Sequence, residues 1–176
     1  MAVRNKQYSL KPQDLLVVFK MAGDSSQRLS YAELAKSLEI SISEGHACIQ
    51  RLAQSRLVAI DENGFRLIGS LIYDFIVYGA VYCFPPVMGS ITRGVPTGYA
   101  ASPLKELINQ PEELPPVWPD AQGSTRGVAL YPLYPSVPNA IKTDSRLYQN
   151  LALFDALRAG AAREREIARD LFRTYL

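Results

Sequence analysis

The sequence predicts a mainly α fold with a small β wing, an α+β class, and three observations carry that prediction. Two capping boxes stand close together, Ser30 with Glu33 and Ser41 with Glu44, separated by the short connection Glu39-Ile40. Next, Leu57-Val58-Ala59-Ile60 and Phe65-Arg66-Leu67-Ile68 flank Asp61-Glu62-Asn63-Gly64, whose Asn-Gly pair supplies the positive φ angles of a tight hairpin. Beyond residue 70, apolar residues recur at helical spacing on either side of a stretch rich in proline and glycine. The expected organisation is a helix-turn-helix with a two-stranded wing in residues 1–69, followed in residues 70–176 by a helical, proline-rich C-terminal region. That region serves dimerisation or partner binding and carries an irregular arm at 85–138.

Taken in order, residues 1–11 are a polar lead-in with Arg4, Lys6 and Lys11, either a frayed terminus or a basic arm. Pro12 suits the first turn of a helix in which Leu15, Val18 and Phe19 face inward, ended by Gly23-Asp24-Ser25-Ser26. The second helix, 31–38, turns Leu34, Ala35 and Leu38 inward and leaves Lys36 outside. In the third, Ala47 or Cys48, Ile49 and Leu52 form the buried set, which leaves Ser43, Glu44, His46, Gln50 and Arg51 as candidates for the exposed face. Their chemistry suits base edges: glutamine pairs bidentately with adenine, arginine with guanine, and serine with base edges or phosphate. Ser41 caps this helix, and Arg28 and Arg66 are placed to meet a DNA backbone.

The run Ser30-Tyr31-Ala32-Glu33-Leu34-Ala35, then Ile40-Ser41 through Arg51-Leu52, then Arg56-Leu57-Val58 and the wing, resembles bacterial winged helix-turn-helix transcriptional regulators of the MarR-like kind. The resemblance covers about the first seventy residues. It implies a recognition helix from about Ile42 to Ser55, a regulator's role and double-stranded DNA as partner. Two departures stand out: Gly45 inside the recognition helix, costing roughly 1 kcal/mol relative to alanine, and Glu44, a negative charge near the groove. A winged helix that binds protein or serves as a scaffold is the alternative.

Composition bounds the classes. Of 176 residues 48% are hydrophobic and 20% charged, which suits a folded chain with its own core and not a disordered one. Net charge is +2, with nine basic and seven acidic residues through Ser70 and ten of each beyond it. A near-neutral protein that binds DNA must gather its positive charge on one face or dimerise. Cys48 and Cys83 sit on apolar helical stretches without metal spacing, and no signal-peptide pattern precedes the first helix, so a reducing cytoplasm is expected.

Ser70 to Phe84 is strongly apolar, with Leu71, Phe75, Tyr78 and Tyr82 at near-helical spacing. The run is shorter than the ~20 residues a bilayer needs, contains Asp74 and is stopped by Pro85-Pro86, so no membrane partner is expected and the helix is read as buried on most sides, in the core or at a dimer interface. Between Pro85 and Pro138 a short helix near 103–109 and a strand within 128–133 are expected, the rest wrapping irregularly. Thr92-Arg93-Gly94-Val95 recurs as Thr125-Arg126-Gly127-Val128, and Arg93 and Arg126 either contact an anion or partner or tie loops to carboxylates and carbonyls. Asp144 or Ser145 caps a last helical segment broken near Gly160, with apolar stripes Leu147, Leu151, Phe154, Leu157 and Ile167, Leu171, Tyr175, suited to homodimerisation. Arg165, Arg169 and Arg173 share one face, with Glu164, Glu166 and Asp170 in ion-pairing reach.

No catalytic set, cofactor or metal site is expected. The single histidine, His46, lies on the third helix, no Walker or Rossmann pattern occurs, and Glu112-Glu113 and Asp155 have no evident partners.

Overall fold

Capping chemistry divides the N-terminal third into short helices in a computed structural model that describes residues 8–23 and 29–175. Arg4, Lys6, Arg28 and the expected helix stop at Asp24-Ser25-Ser26 lie outside the described residues. Helix α1 (Pro12–Gly23) buries Leu15, Leu16, Val17, Val18 and Phe19, because it is clasped between α3 and the C-terminal helices. Helix α2 (Tyr31–Ser37) has the complete capping box: Glu33 N–H donates to Ser30 Oγ, and Ser30 N–H returns to the Glu33 carboxylate. Helix α3 (Ile42–Gln54) has only half of one. Ser41 Oγ accepts from Glu44 N–H at 3.1 Å, but the Glu44 carboxylate turns away to Arg51 and Gln13, since a guanidinium is a stronger donor than a backbone amide.

Both helices end in the same motif. Ile40 N–H bonds Ala35 O and Glu39 N–H bonds Lys36 O, and Leu57 and Arg56 repeat the pattern onto Leu52 and Ala53. Glu39 and Arg56 occupy the left-handed position, with φ of +53° and +59°, where glycine is usual. Strands β1 (Val58–Asp61) and β2 (Gly64–Leu67) follow as an antiparallel hairpin from Val58↔Leu67 to Asp61↔Gly64. Positive φ falls on Gly64 alone, at +117°, and not on Asn63, whose N–H is instead held by Asp61 Oδ1 at 2.8 Å.

The helix at 69–83 departs from expectation. It runs as α4 (Gly69–Asp74), a π-helical stretch (Phe75–Ala80) and α5 (Val81–Cys83). Ile72, Ile76, Val77 and Ala80 are buried, whereas Leu71, Tyr78 and Tyr82 face outward, Tyr82 with 82% of its surface exposed. The helix therefore buries one face instead of most of its circumference, and the stripe that stands out in the sequence is largely the outer one. The wider turn of the π segment shifts the facing register that a 3.6-residue period predicts.

The segment 85–138 is not an irregular arm. Strands β3 (Met88–Pro96), β4 (Pro116–Pro119) and β5 (Thr125–Leu130) close on one another, β3 antiparallel to both others and β4 parallel to β5. Proline bounds β4 at both ends, which hides it from a reading based on strand propensity. Between these strands lies α6 (Leu104–Leu107), the only part of the expected 103–109 helix that forms as such, and α7 (Val137–Ala140) follows β5.

Helix α8 (Ser145–Ala159), capped by Asp144 through Leu147 N–H, is the central beam: residues Leu151 through Leu157 are all buried. Gly160 ends it, and α9 (Ala162–Tyr175) packs back with Ala168 and Phe172 buried and Ile167, Leu171 and Tyr175 partly so. The first expected stripe is thus covered within the chain and the second only in part, while Arg165, Arg169 and Arg173 stay exposed. One contiguous cluster of buried residues extends from Leu15 to Phe172, with Phe19 against Phe154 at 5.5 Å and Phe172 at 6.0 Å. Among the described residues no helix is long and apolar enough to cross a membrane.

Candidate nucleic-acid interface

The outer face of α3 is set by what its inner face holds. Cys48, Ile49 and Leu52 are buried beneath α1 and α2, and Gly45 lies against α2, where a Cβ would meet that of Ala35 at 3.6 Å. Ser41, Ser43 and His46 are exposed at the start of the helix, and Gln54, Ser55 and Arg56 at its end, with Gln50 half-buried between them. Ser41 and Ser43 hydroxyls lie 3.0 Å apart. The His46 ring packs on Tyr31 at 4.9 Å, and Tyr31 packs on Phe65 of β2 at the same distance, so an aromatic chain links α3, α2 and the hairpin.

Arg51 does not belong to that face. It is 9% exposed, and its Nε and one terminal nitrogen bind the Asp14 carboxylate at 2.8 and 2.7 Å, while that same nitrogen reaches Glu44 at 2.7 Å. Placing a guanidinium there costs desolvation, which two carboxylates and a bidentate geometry offset. The Arg51 hydrogen bond holds the Glu44 carboxyl below its ordinary range. Burial and then the neighbouring Asp14 push the Cys48 thiol up, so it stays protonated. Glu44 is half-buried and engaged inward, with Gln13 as its further partner at 3.0 Å. Of the expected contact residues, then, Arg51 and Glu44 fasten α3 to α1.

Arg66 is exposed on the hairpin, 3.9 Å from Asp61. Lys36 and Arg56 are exposed on either side of α3. Arg56 carries no pattern signal of its own, since its position follows from the left-handed turn that ends α3. Arg93 and Arg126, expected in separate loops, stand directly opposite each other on β3 and β5, both exposed.

A second polar centre lies behind the three-stranded ring. Asp155 on α8 is buried and accepts from Thr97 Oγ1 at 2.7 Å, Trp118 Nε1 at 2.6 Å and Arg158 at 2.8 Å. Burial pushes this carboxyl up, and Arg158, Thr97 and Trp118 pull it back. Arg158 also reaches the Tyr131 carbonyl at 3.0 Å, so one ion pair pins the ring to the helix. Asp155 contributes to a cavity of about 260 Å³ whose wall includes Met88, Tyr99, Val128 and Glu164. Both Asp155 oxygens already accept hydrogen bonds, which assigns it to docking the ring. In comparisons with family models, curated proteins and solved structures, nothing matches the chain.

Proposed function

We propose that the chain is a sequence-specific, DNA-binding transcriptional regulator of winged helix-turn-helix type, acting as a bacterial, cytoplasmic homodimer. The observation that carries this reading is the uncovered face of α3, with Ser43 and His46 exposed and Gln50 half-buried, behind a tight turn from α2 and beside a hairpin bearing Arg66. Gln50 is the base reader in this scheme, with Ser43 and His46 beside it, and Lys36, Arg56 and Arg66 meet phosphates. With a net charge of only +2, the positive charge gathered around α3 and the hairpin is doubled in this scheme by two copies on one duplex, on half-sites about one helical turn apart or a multiple of it.

The test is binding of the chain to its own upstream DNA across a salt series. Gln50→Ala is expected to cost on the order of 1–3 kcal/mol at one base position. Arg56→Ala and Arg66→Ala should each weaken all sequences alike and lower the salt slope by about one. Affinity unchanged in Gln50→Ala and His46→Ala alike would remove the assignment of α3 as reading helix.

A second reading, a protein-interaction module such as an antitoxin-like or defence-associated adaptor, is favoured by the exposed row Leu71, Tyr78 and Tyr82 on the 69–83 helix. A stoichiometric protein partner retained at high salt, without retained DNA, would select it.

A further inference from the structure

The echo of Thr92-Arg93-Gly94-Val95 in Thr125-Arg126-Gly127-Val128 becomes a geometric pair in the folded chain. On the antiparallel strands β3 and β5, Thr92 faces Gly127, Arg93 faces Arg126 and Gly94 faces Thr125. The two glycines do the same thing. A Cβ on Gly94 would lie 2.0 Å from the Trp118 carbonyl oxygen, and one on Gly127 would lie 2.1 Å from that of Pro115. Each absence of a side chain lets the backbone of β4 or the residue leading into it close the ring, and closure fixes the register that sets the arginines side by side.

Ring closure explains the glycines and leaves the arginines without a structural role. Directly opposed residues share a face with Cβ atoms about 5 Å apart, and like charges so placed destabilise the pair of strands. Both side chains are exposed, and among the described residues neither guanidinium makes a hydrogen bond or an ion pair. Asp120, whose N–H donates to the Arg93 carbonyl, keeps its carboxylate on Gln122 N–H at 2.8 Å. An anion bridging the two guanidiniums would turn the repulsion into attraction at both.

We propose that Arg93 and Arg126 form a two-pronged clamp for a phosphate group, presented by a nucleic-acid backbone or by a free phosphorylated small molecule. Arginine forks match phosphate oxygens bidentately, and their mounting on a closed, glycine-locked sheet preorganises them. The clamp stands independently of the proposal for α3, because none of its residues lies on that helix.

The experiment titrates inorganic phosphate into the full chain at low ionic strength and follows thermal unfolding and binding heat. Wild type is compared with Arg93→Gln, Arg126→Gln and the double variant. Without phosphate, each single substitution is expected to raise Tm by removing the opposed charge. With phosphate, wild type gains Tm by mass action, and each single substitution weakens phosphate binding about tenfold, the scale of one lost charge-assisted contact. A nucleoside 5′-monophosphate and a short DNA duplex are then compared in the double variant. A loss confined to the duplex assigns the clamp to a nucleic-acid backbone, and a loss with the monophosphate assigns it to small molecules. A wild type indifferent to phosphate, or variants that respond as wild type does, overturns the proposal.

Discussion

Arg51 occupies a position on α3 that suits a base contact, yet its guanidinium is closed on Asp14 and Glu44. Asp14 is 1% exposed, so removing the cation strands a buried carboxylate. Arg51→Ala is therefore expected to lower unfolding free energy by about 3–5 kcal/mol in urea titrations, whereas Arg51→Met combined with Asp14→Leu should lose less, because no fully buried charge is stranded and only the half-buried Glu44, still held by Gln13, loses its cation. Any loss of DNA binding in Arg51→Ala should follow the loss of folded protein. Glu44 adds a pH dependence. Its folded carboxyl is held below the ordinary 4.5 by Arg51, so its contribution is complete above that value and disappears as pH falls through the folded one. Urea midpoints of wild type should drop on acidification below about pH 4.5, and Glu44→Gln should show a shallower drop over the same range.

Among elements, local signals were legible and contacts distant in sequence were not. Ser30, Ser41 and Asp144 mark helix starts because a cap acts within three residues, and Gly160 marks the α8–α9 break for the same reason. The Arg51–Asp14 pair escaped a sequence reading because helical periodicity gives an arginine an outward face by default, and only the approach of α1 supplies the carboxylate. The ring of β3, β4 and β5 escaped because its closure depends on Gly94 and Gly127 meeting the backbone near β4, in a stretch whose prolines argue against strands. Glycines consequently differ in their tolerance. Gly45→Ala places a Cβ in ordinary contact with Ala35 and is expected to stabilise by about 1 kcal/mol, while Gly94→Ala or Gly127→Ala should open the ring and unfold the chain at far lower denaturant. Arg56→Gly relieves a left-handed residue at the end of α3 and should add roughly 0.5–1 kcal/mol after the entropy of glycine is subtracted. If Arg56 also meets phosphate, the same variant gains stability while losing salt-dependent DNA affinity, and denaturation and binding measured together separate the two effects.

At the scale of the whole molecule, α8 joins the first helix, the last helix and the strand ring. Phe154 meets Phe19 of α1, and Phe19 in turn stacks on Phe172 of α9. Asp155 on the next position holds Thr97 and Trp118 of the ring region, and Asn150 one turn earlier donates to the Phe19 carbonyl at 3.2 Å. Over Leu151 to Leu157 the helix buries its full circumference, so the N-terminal helices and the strand ring cannot part along it there without exposing core. Unfolding is therefore expected to be one cooperative transition. The sole tryptophan, Trp118, reports on the ring and its contact with α8, while far-UV circular dichroism reports mainly on the helices. The two signals should give superimposable urea curves with a common midpoint. Phe154→Ala, which removes the ring between α1 and α8, should shift both curves together by about 3–5 kcal/mol, since a cavity at that point weakens every layer at once. A Trp118 transition that precedes the loss of helix, or a Phe154→Ala variant in which only one signal moves, would mean that the ring and the helices fold as separate units and that α8 does not couple them.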